Sequence, residues 1–377
     1  MKGLYLLFLI AVGWLGLSES LAEQRRVTVG VALRLNEQYD HHLISYTRGI
    51  ETAQYLFSQR YPSLIIALKT VPHGWELSSV VDAANSLIQA RVPAVLGGEM
   101  SEEALVLGER LEAEKVVLMT LAATSPQVTA SRPYVFRTWF SDTEVADRMA
   151  RFTTEHLKPA VLGVFHVVSS PYTDYLSRRF RADVQSSNPK LRVVTVKVLR
   201  RTEDLSQVID LFMKEGVTHV AMFSYDGDLL RFVAQSRGKR YFPVFIGSDG
   251  WGSNEFVLSR IASLTPSFEA YRAAYWKDDD ATPLGLAFRQ EFQARFKERP
   301  DGWAAIAFDA AWLLFTAIAR AKDPQSGRGI QTELQAIRDL PLVTTERFSL
   351  GPGNLSQRDL HVYQITQHGI RYQAALK

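Results

Sequence analysis

The chain has 377 residues, of which 46% are hydrophobic, and its 43 Lys and Arg against 40 Asp and Glu give a formal net charge of +3. It contains no cysteine, which excludes a disulfide framework, a Cys-ligated metal and a cysteine nucleophile. The positive excess is weak and scattered among acidic residues, so nucleic-acid binding is not indicated.

The first 22 residues have the layout of a secretory signal peptide. Lys2 gives a positive start, residues 4–17 form an apolar run, and Ser20 and Ala22 are small residues where a signal peptidase cleaves. The run is shorter than the roughly 20 residues that a transmembrane helix needs. We therefore expect residues 1–22 to be removed on export to the periplasm, with an uncleaved N-terminal anchor as the alternative.

Short β-branched runs then alternate with longer amphipathic stretches. Their patterns predict strands at 27–33, 63–70, 94–97 and 116–120, and helices at 42–58, 76–90 and 101–114. Because the strands are apolar throughout, the alternation indicates a parallel sheet covered by helices on both faces.

The same rhythm restarts at residue 160. Strands are predicted at 160–165, 193–198, 219–224 and 243–247, with helices at 172–187, 203–215 and 229–237. Two doubly wound units in series predict an α/β protein of two parallel-sheet lobes. The last third has long helices at 284–297 and 303–321 and short strands near 347–350 and 361–365, which the two lobes must share.

Four segments together resemble a known family. They are the strand-to-helix segment 94–101, the pair 122–129 and 134–138, the Ile-Gly-Ser-Asp-Gly segment 246–250, and the late helix 304–321. In their order and spacing, the sequence resembles the type I periplasmic binding proteins, in particular the branched-chain amino-acid receptor family, over residues 27–372.

The resemblance implies two lobes joined by a three-segment hinge. We expect the N-terminal lobe to contain residues 23–140 plus 275–345, and the C-terminal lobe residues 141–274 plus 346–377. The crossings are expected at 138–142, 268–276 and 344–356.

Ligands of doubly wound sheets bind beyond the carboxyl ends of the strands, and three first-lobe residues are candidates there. Ser101 opens a helix, whose free N–H groups and positive end favour an anion, although a plain N-cap is the alternative. By resemblance, Thr124 would bind a ligand carboxylate and the Ala122 carbonyl an ammonium group. The alternative for both is the turn chemistry of Thr-Ser-Pro.

The second lobe offers three more candidates by resemblance. Tyr172 begins a predicted helix where the family places a tyrosine, and Tyr225 follows a strand. Asp249 would neutralise the α-amino group of the ligand, with a turn cap as the alternative.

Four residues are candidates for the pocket wall, with ordinary packing as the alternative for each: Tyr39, Trp75, Met100 and Trp251. The sequence also departs from the family at Lys69, where relatives carry an acidic residue, and in the loop 35–39. Both departures lie at the expected rim of the cleft, so the sequence leaves open which side chain the ligand carries.

The sequence carries no catalytic signature such as a Gly-x-Ser-x-Gly elbow or a phosphate-binding glycine loop. Its histidines lack the spacing of metal ligands. We therefore expect no enzymatic activity, no cofactor and no metal.

The expected function is that of a monomeric periplasmic solute-binding protein. It would capture an amino acid or a related small polar ligand and deliver it to an ABC permease in the inner membrane. The alternatives are a ligand sensor for a histidine kinase or chemoreceptor, and a ligand-free activator scaffold for a cell-wall enzyme.

Overall fold

The computed structural model describes residues 25–34, 41–252, 254–261, 264–265, 267–277, 282–351 and 358–376. The expected signal peptide, residues 1–22, and the candidate wall residue Tyr39 lie outside these ranges.

The first sheet contains five parallel strands in the order β2-β1-β3-β4-β5. They are β1 (Arg25–Ala32), β2 (Leu64–Thr70), β3 (Ala94–Gly97), β4 (Val117–Thr120) and β5 (Val135–Arg137). The helices between them are α1 (His41–Arg60), α2 (Leu77–Gln89) and α3 (Ser101–Ala113). Every residue of β3 and β4 is buried, as expected of strands covered on both faces.

The second sheet has seven strands in the order β12-β11-β10-β9-β8-β6-β7. They are β6 (Val161–Val167), β7 (Arg192–Val198), β8 (His219–Ala221), β9 (Val244–Gly247), β10 (Glu269–Ala274), β11 (Leu360–Thr366) and β12 (Gly369–Leu376). Strands β6 to β10 pair in parallel, whereas β11 and β12 form an antiparallel edge. Its helices are α4 (Asp142–Phe152), α5 (Pro171–Ser187), α6 (Ser206–Lys214), α7 (Asp226–Gly238) and α8 (Asn254–Ile261).

Three further helices return to the first sheet: α9 (Pro283–Phe296), α10 (Gly302–Arg320) and α11 (Gly327–Ala336). Residues 303–318 of α10 are all buried. The contact with α1 is tight, since a Cβ on Gly49 would lie 2.3 Å from the carbonyl oxygen of Ala304. In the described part of the chain, α10 is long and apolar enough to cross a membrane, but it is 89% buried and packs as a core helix.

The chain passes between the two sheets three times, after β5, after β10 and between α11 and β11. Asp309 of α10 secures the last passage, accepting hydrogen bonds from the backbone N–H groups of Val343 (2.7 Å) and Thr344 (3.0 Å). Arg358 donates to the Thr344 hydroxyl at 2.6 Å. The exact lobe limits given above stay predictions.

The predicted fold class, two doubly wound parallel sheets in an α/β protein, is confirmed. Strand β10 was not predicted and lies within the crossing expected at 268–276. Its sequence, Glu-Ala-Tyr-Arg-Ala-Ala, lacks β-branched residues, and it is a strand because β9 and β11 flank it. The strand expected near 347–350 is present as an isolated bridge between Leu340 and Phe348.

Candidate functional site

The two sheets face each other at the carboxyl ends of their strands, and side chains bridge the gap. Glu102, which follows β3, accepts hydrogen bonds from Ser170 after β6 (3.4 Å) and from Arg200 after β7 (3.2 Å). We call the enclosed region, bordered by Ser101 and Thr124 on one side and Tyr172 and Asp249 on the other, the cleft. These hydrogen bonds join residues of the two lobes beside the cleft.

Ser101 is the first residue of α3, and Met100 occupies the N-cap position. The carboxylate of Glu103 accepts the Met100 N–H at 3.2 Å and so completes the cap. The Ser101 hydroxyl accepts the N–H of Ser125 at 3.2 Å. Ser101 therefore joins the start of α3 to the loop that carries Thr124.

A buried arginine shapes the loop around Thr124. Arg137 donates to the carbonyl groups of Thr124 (2.8 Å) and Ser125 (3.0 Å), and the N–H of Asp142 donates to the Thr124 carbonyl at 3.0 Å. Ala122 is buried two residues before Thr124. These bonds fix the loop from within the protein, beyond what local turn chemistry provides.

Asp142 is a site residue that the sequence did not reveal. It is fully buried, and neither carboxylate oxygen has a hydrogen-bond partner among the described residues. Burial raises its pKa well above the usual value, the charge of Asp249 raises it further, and the nearby Thr124 hydroxyl and Arg137 lower it. The segment beginning at Ser141 forms a capping box for α4, so Asp142 reads as an ordinary first-turn acid.

The second-lobe half is built around Tyr172 and Asp249. The Tyr172 hydroxyl lies 2.5 Å from the Ser248 hydroxyl and donates to the Asp249 carboxylate at 3.4 Å. Burial raises the pKa of Asp249, and the positive charge of Arg272 lowers it. Arg272 also donates to the Ser248 carbonyl at 3.2 Å, which supports the short turn carrying Asp249.

Tyr225 extends this half towards the rim. Its ring lies 5.7 Å from that of Tyr172, and its hydroxyl is 3.5 Å from the Ser170 hydroxyl. The guanidinium of Arg200 lies 4.3 Å from the Tyr225 ring centroid, a cation–π distance. Burial raises the pKa of Tyr225, so the hydroxyl stays neutral.

The remaining wall candidates lie in different surroundings. The sulfur of Met100 accepts a hydrogen bond from the Arg34 guanidinium at 2.9 Å. Trp75 is a rim residue that is 49% exposed, and the Arg34 guanidinium lies 3.9 Å from its ring centroid. Trp251 is fully buried in the core of the second lobe, where a Cβ on Gly247 would lie 2.3 Å from its ring. Trp251 thus packs behind the site.

Two further buried tyrosines, Tyr46 and Tyr275, lie within electrostatic reach of Asp249. Burial raises the pKa of Tyr46 well above its usual value, and the charges of Glu99 and Asp249 raise it further. Burial and then the charge of Asp249 raise the pKa of Tyr275 likewise. Both rings belong to the buried hydrophobic core, Tyr46 on α1 and Tyr275 just after β10, and the sequence alone did not mark them as neighbours of the site.

The cleft thus combines buried carboxylates with hydroxyl groups and a helix N-terminus. Within the described ranges, no group of three or more His, Asp or Glu residues is arranged to hold a metal ion. The arrangement suits a small molecule that carries a positive and a negative group.

Residues 66–369 match the model of a family described as Periplasmic binding protein. A Leu/Ile/Val-binding protein of Citrobacter freundii is 23% identical over 246 residues, and the match spans 65% of this chain and 65% of that protein.

Solved structures share the fold. A leucine binding protein from Thermotoga maritima superposes with a TM-score of 0.84 at 19% identity, covering 93% of this chain and 99% of that one. A solute binding protein from R. palustris in complex with benzoate gives a TM-score of 0.79 at 14% identity, covering 93% and 96%.

Proposed function

This chain belongs to the periplasmic binding protein family, and on that premise we propose that it captures an amino acid between its two lobes. The proposal rests on one observation above all. Two buried carboxylates, Asp142 at the start of α4 and Asp249 just after β9, lie close enough that the charge of Asp249 raises the pKa of Asp142.

An ammonium group placed between these carboxylates would relieve their repulsion and partner both charges. The opposite end of an amino acid suits the first lobe. A ligand carboxylate would accept hydrogen bonds from the Ser101 and Thr124 hydroxyls and from the N–H groups at the start of α3, where the helix dipole favours an anion. The Tyr172 and Tyr225 rings would cover the ligand from the second lobe.

Closure of the lobes would be the functional event. The bridges from Glu102 to Ser170 and Arg200 require both lobes to be close. A ligand that contacts both lobes binds the closed form better than the open form, and it therefore shifts the population towards closure.

We further propose that the protein acts in the periplasm, after removal of residues 1–22, and passes its ligand to an ABC permease without chemical change. A sensor would close in the same way. Uptake by a reconstituted permease separates transport from sensing.

A thermal-shift screen of the standard amino acids, followed by calorimetry on each hit, tests the proposal. A ligand at about 100 times its Kd adds about 2.7 kcal/mol to the free energy of unfolding. We expect at least one amino acid to produce a saturable increase in Tm and a measurable heat of binding. If none of them does either, the proposed function is wrong.

A further inference from the structure

A fully buried arginine lies behind the loop that carries Thr124. Arg137 is the last residue of β5 and is 0% exposed. Its Nη1 atom donates to the carbonyl groups of Thr124 at 2.8 Å and Ser125 at 3.0 Å, and its Nη2 atom donates to the Thr129 hydroxyl at 3.1 Å. All three of these acceptors are neutral groups of one loop, so the contacts of the guanidinium hold that loop in place.

Arg137 brings a positive charge to the Thr124 carbonyl oxygen. Burial lowers the pKa of Arg137 to about 10, and the charges of Asp142 and Glu144 raise it, so the guanidinium stays protonated at neutral pH. The N–H of Asp142, the first residue of α4, donates to the same oxygen at 3.0 Å. A guanidinium and the positive end of a helix therefore meet at this carbonyl group.

The peptide group between Thr124 and Ser125, which we call the loop peptide, links this oxygen to the start of α3. Its carbonyl oxygen belongs to Thr124 and its N–H to Ser125, and that N–H donates to the Ser101 hydroxyl at 3.2 Å. Donors at the carbonyl end polarise the loop peptide and make its N–H a stronger donor, because successive hydrogen bonds in a chain strengthen one another. The loop peptide is thus fixed at both ends.

The Ser101 hydroxyl is oriented by this contact. A hydroxyl carries one hydrogen and two lone pairs. Since the Ser125 N–H points at the hydroxyl oxygen, the hydroxyl hydrogen must turn away from the loop peptide. Ser101 is 2% exposed, and within the described ranges its hydroxyl hydrogen has no acceptor. That hydrogen is therefore available to an acceptor in the cleft.

We propose that Arg137 is a positioning residue for ligand binding: through the loop peptide, it orients and strengthens the Ser101 hydroxyl as a donor to an anionic group of the ligand. This inference rests on the proposed function, which takes that anionic group to be the α-carboxylate of an amino acid. Arg137 is too deeply buried to contact the ligand itself.

Calorimetry of the full chain with two ligands separates this role from a general structural one. The ligands are the tightest-binding amino acid and its analogue without the α-carboxylate. Arg137→Gln removes the charge, while the amide N–H can still donate to a carbonyl group of the loop. We expect the variant to bind the amino acid about fivefold or more weakly and the analogue within about twofold of the wild type, because only the carboxylate accepts from Ser101.

A double-mutant cycle with Ser101→Ala tests the path through the loop peptide. The loss of amino-acid affinity caused by Arg137→Gln should be at least about threefold smaller in the Ser101→Ala background, because the hydroxyl that Arg137 orients is absent there. A loss of the same size in both backgrounds, or an equal loss for the two ligands, overturns the inference.

A second arginine of the same region is the matched control. Arg132 donates to the carbonyl groups of Gln127 at 2.6 Å and Val128 at 3.4 Å, in the turn that follows the loop peptide. Arg132→Gln should therefore leave the affinities for both ligands unchanged.

If Arg137→Gln does not fold, Arg137→Lys serves, because it keeps the buried charge without the planar fork and should give the same carboxylate-selective loss. Ser101→Ala alone needs no change at Arg137, and an unchanged amino-acid affinity in that variant overturns the inference. Amino-acid binding that depends on Asp249 but on neither Ser101 nor Arg137 overturns the inference and leaves the proposed function standing. Failure of every amino acid to bind overturns both.

Discussion

Replacing Asp249 by Asn should weaken amino-acid binding strongly while leaving the ligand-free protein at least as stable. Asn preserves the size of the side chain, and its carbonyl oxygen can still accept the Tyr172 hydroxyl, which lies 3.4 Å from the carboxylate. The change therefore removes the charge and little else. Asp249 is 8% exposed, so solvent screens its charge only weakly.

The expected loss follows from the buried position. Truncating one member of a buried charge pair costs about 2–5 kcal/mol of binding free energy, which corresponds to a Kd about 30-fold to several thousand-fold larger. Isothermal titration calorimetry measures the loss directly. The exposed Asp210, replaced as Asp210→Asn, is the matched control and should leave Kd unchanged.

The stability of the ligand-free protein moves the other way. Burial raises the pKa of Asp249 above its value of 3.8 in the unfolded chain, so the stability that its protonated form gives is lost as pH rises through the raised pKa. Asn cannot ionise, so at neutral pH the variant should melt at the same or a higher Tm by differential scanning calorimetry. An unchanged Kd, or a larger Kd together with a clearly lower Tm of the ligand-free variant, would refute the reasoning.

Three further changes give distinct readouts. Glu102→Gln weakens the ion pair with Arg200, in which the Glu102 side chain is 21% exposed and the Arg200 side chain 22%. The binding free energy should therefore fall by about 1 kcal/mol or less, with faster ligand dissociation in stopped-flow traces. Asp142→Asn should lower the number of protons released on binding, measured by calorimetry in buffers of different ionisation heat, because a bound ammonium lowers the raised pKa of Asp142. Asp309→Asn cannot accept from both Val343 and Thr344, so it should reduce the free energy of unfolding by about 1–3 kcal/mol in urea titrations. Burial raises the pKa of Asp309 to about 6, so its contribution to wild-type stability should fall as pH rises from about 4 through 6.

The order of strands and helices could be predicted where local pattern decides it. The first-lobe strands are short apolar runs, and Ser101, Thr124 and Asp249 each follow a strand whose carboxyl end forms the cleft. Strand β10 could not be predicted in this way, because its neighbours in the sheet make it a strand.

The parts of the site that depend on distant residues were not predictable. Arg34 and Glu99 are 65 positions apart, and each alone reads as an exposed charged residue. Asp142 lies in a capping segment that explains an acidic residue without reference to the cleft. Folding brings these charges together, and the sequence pattern carries no record of that proximity.

The central claim is that both ends of an amino acid are held between the lobes. Calorimetry on the tightest amino acid, its analogue without the α-carboxylate and its analogue without the α-ammonium tests this claim most directly. We predict that each analogue loses about 2–5 kcal/mol of binding free energy, since each leaves buried polar groups of the cleft unpartnered. Equal affinity for the amino acid and either analogue would contradict the account.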